Sequence, residues 1–441
     1  MEAPRRPSSA DPLAYLLSLE KYGIKLGLSN IRTLTAALDY PEHAFTSILV
    51  AGTNGKGSVA AMLERGLRAA GYRTGLYTSP HLVDLAERIA IDGQPVDGAT
   101  LAAAAHELRG TVDTLFCAGR LAAPPTFFEA TTTMALSMFR TARVRVAVLE
   151  VGMGGRFDAT NVVTPVAVAV PTIDLDHQQF LGTTIEAIAF EKAGVISEGA
   201  IVVTGETKPA ARDVLYRAAE QRGARFIDAN AGTELRVSQQ DGVSRVEAMA
   251  TPHARYGPFT LALRGGHQIR NAVVVVRLLE ALQTVGLPVP IPAIRDALTD
   301  VRWRGRLELV TCDPARKVLL DTAHNVAAAT ALGAYVRDLA PYGLPFVFGV
   351  LKDKDVVGMV RALGAAATAF VCTPIATARA WSAADLAALV RKARPGVTVS
   401  VAKGPRAALA EAWTSGPLVC ASGSVYLVGD LIRILGPNGT K

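Results

Sequence analysis

The stretch ILVAGTNGKGSVAAMLERGLRAAGY, residues 48–72, breaks an apolar run with Gly-Thr-Asn-Gly-Lys-Gly-Ser and then resumes at helical spacing. An apolar run without polar alternation predicts a strand buried on both faces over 47–52, as in a parallel sheet. The spacing after Ser58 predicts a helix over 58–72 stopped by Gly71, and TGLYT at 74–78 predicts the next strand. A strand that turns through glycines into a helix offers backbone N–H groups and the positive end of the helix dipole to an anion. Gly52, Gly55 and Gly57 let the backbone turn and approach phosphates, and Lys56 would neutralise β- and γ-phosphate oxygens. The generic phosphate loop asks for Gly-x4-Gly-Lys-Ser/Thr, but Val50 holds the first glycine position and Gly57 follows Lys56. On this loop alone, an ordinary glycine-rich turn with a surface lysine stays open beside phosphate binding.

A second constellation bears on that choice. VRVAVLEV (144–151), VAVAVPTI (166–173) and AIVVTG (200–205) are expected strands. Glu150 ends the first, and Asp174, Asp176 and His177 follow the second, so a parallel sheet brings them to the edge where α/β folds bind ligands. Hard oxygen donors there suit Mg²⁺ beside nucleotide phosphates, whereas histidine is a less usual Mg²⁺ ligand. Viewed alone, Glu150 is as well explained by a cap or salt bridge, and His177 better by a hydrogen-bonded structural role. Convergence on one edge favours the metal site for both.

At 441 residues the chain exceeds one ordinary core and suits two domains. Half of it is hydrophobic and 19% is charged, which argues against disorder. Asp11-Pro12 has the form of an N-cap and first helical position before LAYLLSLEKYG. HQIRNAVVVVRLLEALQTVG (267–286) and PAIRDALTDV (292–301) predict two helices. After RWRGRLELV a second series begins, with strands expected at KVLLDTA, PFVFGV, AFVCTPI, VTVSVA and PLVCASG between Ala-rich helices. The pattern predicts an α/β protein with one domain over 1–300 and a second over 301–441. No apolar segment follows the two N-terminal arginines and no run of 18 apolar residues occurs, so neither a signal peptide nor a membrane span is expected. Cys117, Cys312, Cys372 and Cys420 form no Cys-x-x-Cys pair, which argues against disulfides or zinc and fits the cytoplasm. The net charge of +7 is scattered, so polyanionic small molecules explain it as well as nucleic acid would. No nucleic-acid or membrane partner is expected, and the chain is taken as a monomer.

AGTNGKGS, YTSPHL, TFFE, LEVGMGGRFDATN, TIDLDHQQFLGTTIEAIAFEKAGVI, RGRLE, LDTAHN and SVYLVGD, in that order, resemble the successive motifs of the folylpolyglutamate synthase and dihydrofolate synthase family within the Mur ligase superfamily. The resemblance covers most of the chain. It implies an N-terminal P-loop ATPase domain with a mostly parallel sheet and a smaller C-terminal Rossmann-like domain, with the active site between them. It also implies an ADP-forming ligase that joins L-glutamate to dihydropteroate or to a folate through an acyl phosphate.

Residue by residue, the resemblance places Thr53, Asn54, Gly55, Lys56, Gly57 and Ser58 on the ATP phosphates, and Ser79, Glu150 and His177 on Mg²⁺. Asn271, Arg306, Asp321 and His324 would complete the nucleotide site, and Lys192 matches a carbamylated lysine that binds a second metal. Lys56, Glu150, His177 and Lys192 would thus carry the catalysis. Ile24, Lys25 and Leu26, then Thr126, Phe127, Phe128 and Glu129, and Phe157, Asp158 and Ala159 match regions that contact the pteroate part. Without the resemblance, Arg306 is a surface ion-pair partner, Asp321 a turn carboxylate, Lys192 a solvated helical lysine, and TFFE core aromatics beside an acid. The chain departs from the family at Asp84 and Ala86, at RGR for Pro-Gly-Arg, and at DTAHN for Asp-Gly-Ala-His-Asn. Two other functions remain open: a Mur-superfamily ligase for a different carboxylic acid, and a nucleotide-binding protein without catalysis. Only catalysis requires the metal pair that Glu150, His177 and Lys192 imply.

Overall fold

The computed structural model describes residues 11–23 and 25–436, in two compact units. The first holds the chain up to Ser79, Leu85–Ala231 and Ala272–Ala297; the second holds Pro80–Asp84, Gly232–Asn271 and the chain from Leu298. It is an α/β protein throughout, as its sequence pattern predicts.

The first unit is built on an eight-stranded sheet of β1 (Thr46–Val50), β2 (Thr74–Tyr77), β3 (Ile89–Ile91), β4 (Gln94–Pro95), β5 (Val146–Glu150), β6 (Ala167–Val170), β7 (Ile201–Thr204) and β8 (Arg225–Asp228). Their spatial order is β4-β3-β2-β5-β1-β6-β7-β8. The six strands from β2 to β8 in that order run parallel, and only β3 and β4 pair antiparallel. Central β1 explains its apolar run: Ile48, Leu49 and Val50 are wholly buried, each contributing about 1.5–3 kcal/mol of hydrophobic stabilisation. Val50 is in register with Glu150, so β1 and β5 end side by side. The expected helix after β1 spans Lys56–Ala69, beginning earlier than the sequence pattern because Gly55 already serves as its N-cap. Asp11 caps the first helix by accepting from Leu13 N at 2.9 Å.

The second unit has a six-stranded sheet and a smaller antiparallel one. The small sheet consists of β9 (Glu234–Gln240), β10 (Val243–Ala250), β11 (Arg255–Tyr256) and β12 (Phe259–Thr260). The larger contains β13 (Glu308–Asp313), β14 (Arg316–Leu320), β15 (Leu344–Phe348), β16 (Ala367–Cys372), β17 (Thr398–Val401) and β18 (Leu418–Ser422), ordered β13-β14-β18-β15-β16-β17. All its pairs are parallel except β13 with β14, giving the expected Rossmann-like layer. Phe346, Phe348 and Phe370 fill its core, with ring centroids 5.4–5.9 Å apart. The helix expected over 267–286 runs as Gly266–Ala281 and tightens into a 3₁₀ turn, Leu282–Val285.

Candidate active site

The site grows from the carboxyl ends of β1, β5 and β6. Beyond β1 the chain turns through Gly52, at φ 135°, and Gly55, at φ 87°, a backbone region that glycine enters without the usual Cβ penalty. At Gly52 a Cβ would also meet Thr172 O at 3.0 Å. The segment after β6 fixes this loop: Thr53 N donates to Thr172 O at 2.7 Å and Thr172 Oγ1 to Asn54 O at 3.2 Å. The following helix has no side-chain cap at its N-terminus, where its dipole favours an anion. Lys56 Nζ donates to Thr53 O at 3.1 Å, folding back over the loop. Gly57 and Ser58 are buried at the start of the helix.

Lys192 lies on the helix Ile185–Ala193 and is only 4% exposed. The structure thus replaces the solvated helical lysine, expected without the resemblance, with a buried one. Its Nζ donates to Gly52 O at 2.8 Å, the carbonyl that opens the phosphate loop. Burial, and secondly the charge of Lys56, lower its pKa to about 7, against the opposing pull of Asp176 and Asp158. A large share of this amine is therefore uncharged near neutral pH.

Glu150, 5% exposed, closes β5, and its Oε2 accepts from Ser79 N at 3.1 Å. His177 sits in the left-handed backbone region at φ 50°. Its N–H donates to Asp176 Oδ1 at 2.9 Å, and its Nε2 lies 4.0 Å from the same oxygen. Asp174 instead pairs with Lys208 at 2.9 Å. Among the described residues no three His, Cys, Asp or Glu side chains converge as a ready-made metal cage. Of the three residues expected on Mg²⁺, the structure joins Ser79 and Glu150 through the backbone bond above; Mg²⁺ usually takes many of its ligands from phosphate oxygens or water.

The pteroate-matching residues divide by burial. Thr126 and Glu129 form a capping box for the helix Phe127–Thr141: Glu129 N donates to Thr126 Oγ1 at 3.1 Å and Thr126 N to Glu129 Oε2 at 2.7 Å. Phe127 is buried beneath Arg88, and Phe128 packs near Tyr77, centroids 5.9 Å apart. Asp158 is buried, accepts from Met153 N and from the Thr160 N–H and hydroxyl, and has its pKa raised by burial. Ala159 is buried beside it. Phe157 is 38% exposed, with the Arg156 guanidinium 4.4 Å from its centroid. Lys25 and Leu26 are exposed, and Gly27 N donates to Phe157 O at 3.4 Å. Ile24 lies outside the described residues.

Asn271, Arg306, Asp321 and His324 belong to the second unit. Asp321, at the end of β14, accepts from Leu307 N at 3.0 Å and Ala323 N at 2.9 Å. Burial raises its pKa while nearby Arg306 opposes that rise. His324 Nδ1 lies 2.9 Å from Thr322 O, and Asn271 Nδ2 donates to Gln268 Oε1 at 2.9 Å. Sequence reasoning missed Arg156, Glu206 and Lys208, although Lys208 follows a parallel strand toward the same sheet edge as the phosphate loop.

The parallel sheet with this loop at its central strand, joined to a Rossmann-like unit, is the architecture of a Mur ligase. Residues 98–279 match the Mur ligase middle domain and residues 305–425 the Mur ligase, glutamate ligase domain. The chain belongs to the dihydrofolate synthase/folylpolyglutamate synthase family. It is 32% identical to the dihydrofolate synthase/folylpolyglutamate synthase of Escherichia coli, over 98% of this chain and 97% of that one. A probable bifunctional folylpolyglutamate synthase/dihydropteroate synthase of Halobacterium salinarum is 38% identical over 94% of this chain, which spans only 50% of that relative's length. The solved Mycobacterium tuberculosis folylpolyglutamate synthase complexed with ADP and AMPPCP superposes with a TM-score of 0.89 at 32% identity, covering 97% of this chain and 100% of that one.

Proposed function

We propose that this protein is an ADP-forming ligase that joins L-glutamate to dihydropteroate and to folates. The ATP-binding part is proposed to span 1–300 and the glutamate-ligase part 301–441, although Pro80–Asp84 and Gly232–Asn271 pack with the second compact unit. The observation that carries this reading is the loop 52–58, uncapped by any side chain, with the Lys56 Nζ on the Thr53 carbonyl, beside the buried Glu150. A lysine held by a neutral carbonyl at a helix N-terminus makes a site for a polyanion.

A carboxylate is a poor electrophile. Transfer of the γ-phosphoryl of ATP to the acceptor carboxylate gives an acyl phosphate, and the glutamate amine then displaces phosphate to form the amide. Lys56 and the loop N–H groups offset charge on the transferring phosphoryl, which otherwise repels the incoming carboxylate. Ser79, Glu150 and His177 would hold Mg²⁺, which supplies further neutralisation of phosphate charge when bound. Asn271, Arg306, Asp321 and His324 are proposed nucleotide contacts, and exposed Phe157 offers a face for a flat pteroate ring. Thr126, Phe127, Phe128, Glu129, Asp158 and Ala159 are proposed to support that region from within the fold, since most are buried.

Lys192 is proposed to be carbamylated. Its lowered pKa supplies the free amine that adds to CO₂ with loss of a proton, and the product keeps one N–H for Gly52 O while gaining an anionic oxygen pair for a second metal. Four free cysteines suit a reducing cytoplasm, and among the described residues no helix is long and apolar enough to cross a membrane.

Purified protein with MgATP and labelled glutamate, offered dihydropteroate or tetrahydrofolate separately, tests the reading. Incorporation with both is expected. Incorporation with tetrahydrofolate alone removes the dihydrofolate synthase half, and none with either overturns the substrate assignment.

A further inference from the structure

The turn Glu206-Thr207-Lys208 after β7 contains none of the residues assigned above. Glu206 is 2% exposed. Its Oε2 accepts from Ile173 N at 2.5 Å, while Oε1 accepts from Thr207 N at 2.8 Å and Lys208 N at 2.7 Å. Lys208 Nζ reaches the same neighbouring segment, donating to Ile173 O at 2.8 Å and pairing with Asp174 Oδ1 at 2.9 Å and Glu206 Oε1 at 3.6 Å. The turn therefore grips Ile173 by both backbone groups and Asp174 by its side chain.

The far side of that segment grips the phosphate loop. Asp174 N donates to Thr53 Oγ1 at 2.9 Å, and Thr53 Oγ1 donates to Asp174 O at 3.0 Å. Thr172 adds the bonds to Thr53 N and Asn54 O described above. Three residues beyond Asp174 comes His177, whose left-handed backbone is a conformation that surrounding structure must enforce.

We propose that Glu206 and Lys208 form a latch: positioning residues that hold Thr172–His177, and through Thr53 the phosphate loop, in the geometry that binds nucleotide and metal. The proposal rests on the ATP- and Mg²⁺-binding reading for its consequence, and on the hydrogen bonds and ion pair above for its geometry. Within segment 171–177 Ile173 is wholly buried in the core while Leu175 is 46% exposed. Lys208 also neutralises the Asp174 carboxylate, which when unpaired beside the loop would repel a triphosphate. Because the Lys208 side chain is 42% exposed, its ion pair adds little to global stability, so its effect falls on preorganisation of the site.

The test compares the wild-type protein with Lys208→Met and Lys208→Arg. In the ligand-free proteins, amide exchange of residues 172–177 and 53–54 should accelerate about tenfold or more in Lys208→Met, while the β1 and β5 amides and the melting temperature hold. Lys208→Arg, which keeps the charge, should stay closer to wild type. Calorimetry with a non-hydrolysable ATP analogue and Mg²⁺ should show Kd raised about tenfold in Lys208→Met, and Asp174→Asn/Lys208→Met should recover part of that loss. Unchanged exchange in Lys208→Met overturns the latch, as does global unfolding of that variant, which would make the lysine a stability element. Absence of analogue binding by the wild-type protein would overturn the nucleotide reading instead, with the exchange result still deciding the latch.

Discussion

Two parallel sheets end in charged edges, but they hold their charge in opposite ways. At the first, Lys56 leans on the carbonyl of Thr53, so its positive charge stays available to an incoming anion, while buried Lys192 sits on the carbonyl of Gly52. At the second, both carboxylate oxygens of Asp321 accept backbone N–H groups, from Leu307 and Ala323, so its negative charge organises the chain around it. A cation on carbonyls can be removed with little harm to the fold, whereas a carboxylate on amides cannot. The contrast predicts which substitutions strike chemistry first and which strike structure first.

The largest effect should come from Lys56→Ala, with kcat falling about 10²–10³-fold, as when one preorganised electrostatic donor is lost. The melting temperature should hold within a few degrees, and near-normal kcat would dissolve the contrast. Lys192→Ala should lose most activity and regain part of it with acetate filling the vacant anionic position. Lys192→Arg should be as poor, because a guanidinium keeps its charge and cannot form a carbamate; full activity in it refutes the modification.

Lys192 also sharpens the comparison through pH. In protein freed of CO₂, where Lys192 is a free amine, its folded pKa, about 7, lies below the ordinary lysine value of 10.5, so between these the unfolded chain binds more protons than the folded one. Stability from this group therefore rises as pH climbs through that window and is lost as pH falls toward 7. Lys192→Met should flatten that part of the stability–pH curve and raise stability most at its acid end, as denaturant titration would show.

At the second edge, Asp321→Asn keeps only one acceptor oxygen for two N–H donors and should cost about 1–3 kcal/mol of stability. Calorimetry should register this as a lower melting temperature for the unit bearing it, and an unchanged melt would mean the carboxylate shapes nothing. The smallest expected effect is at exposed Phe157, where Phe157→Leu should raise KM for the pteroate acceptor about 3–10-fold through lost ring contact, with kcat nearly unchanged.

How much was legible in the sequence follows the same physics. β1, β5 to β7 and β14 to β18 are announced by short apolar runs, because most are buried on both faces. β9 escaped notice because nearly every one of its side chains is exposed, leaving no alternation to read. The phosphate loop was visible from its glycines and lysine even though the literal motif fails. Lys192 was not legible from periodicity: its helix buries the lysine and leaves Phe190 55% exposed, the reverse of what an amphipathic pattern announces. Glu206 and Lys208 look like any charged surface turn, and only the Ile173 and Asp174 contacts distinguish them.

The central claim is that the first edge activates a carboxylate by phosphorylating it. Dihydropteroate labelled with ¹⁸O in its carboxylate, incubated with the protein, MgATP and glutamate, tests this through the mass of the released phosphate. One ¹⁸O should appear in phosphate for each amide formed, because phosphate leaves the acyl carbon with the carboxylate oxygen that attacked the γ-phosphorus. Amide formation with unlabelled phosphate would contradict the account.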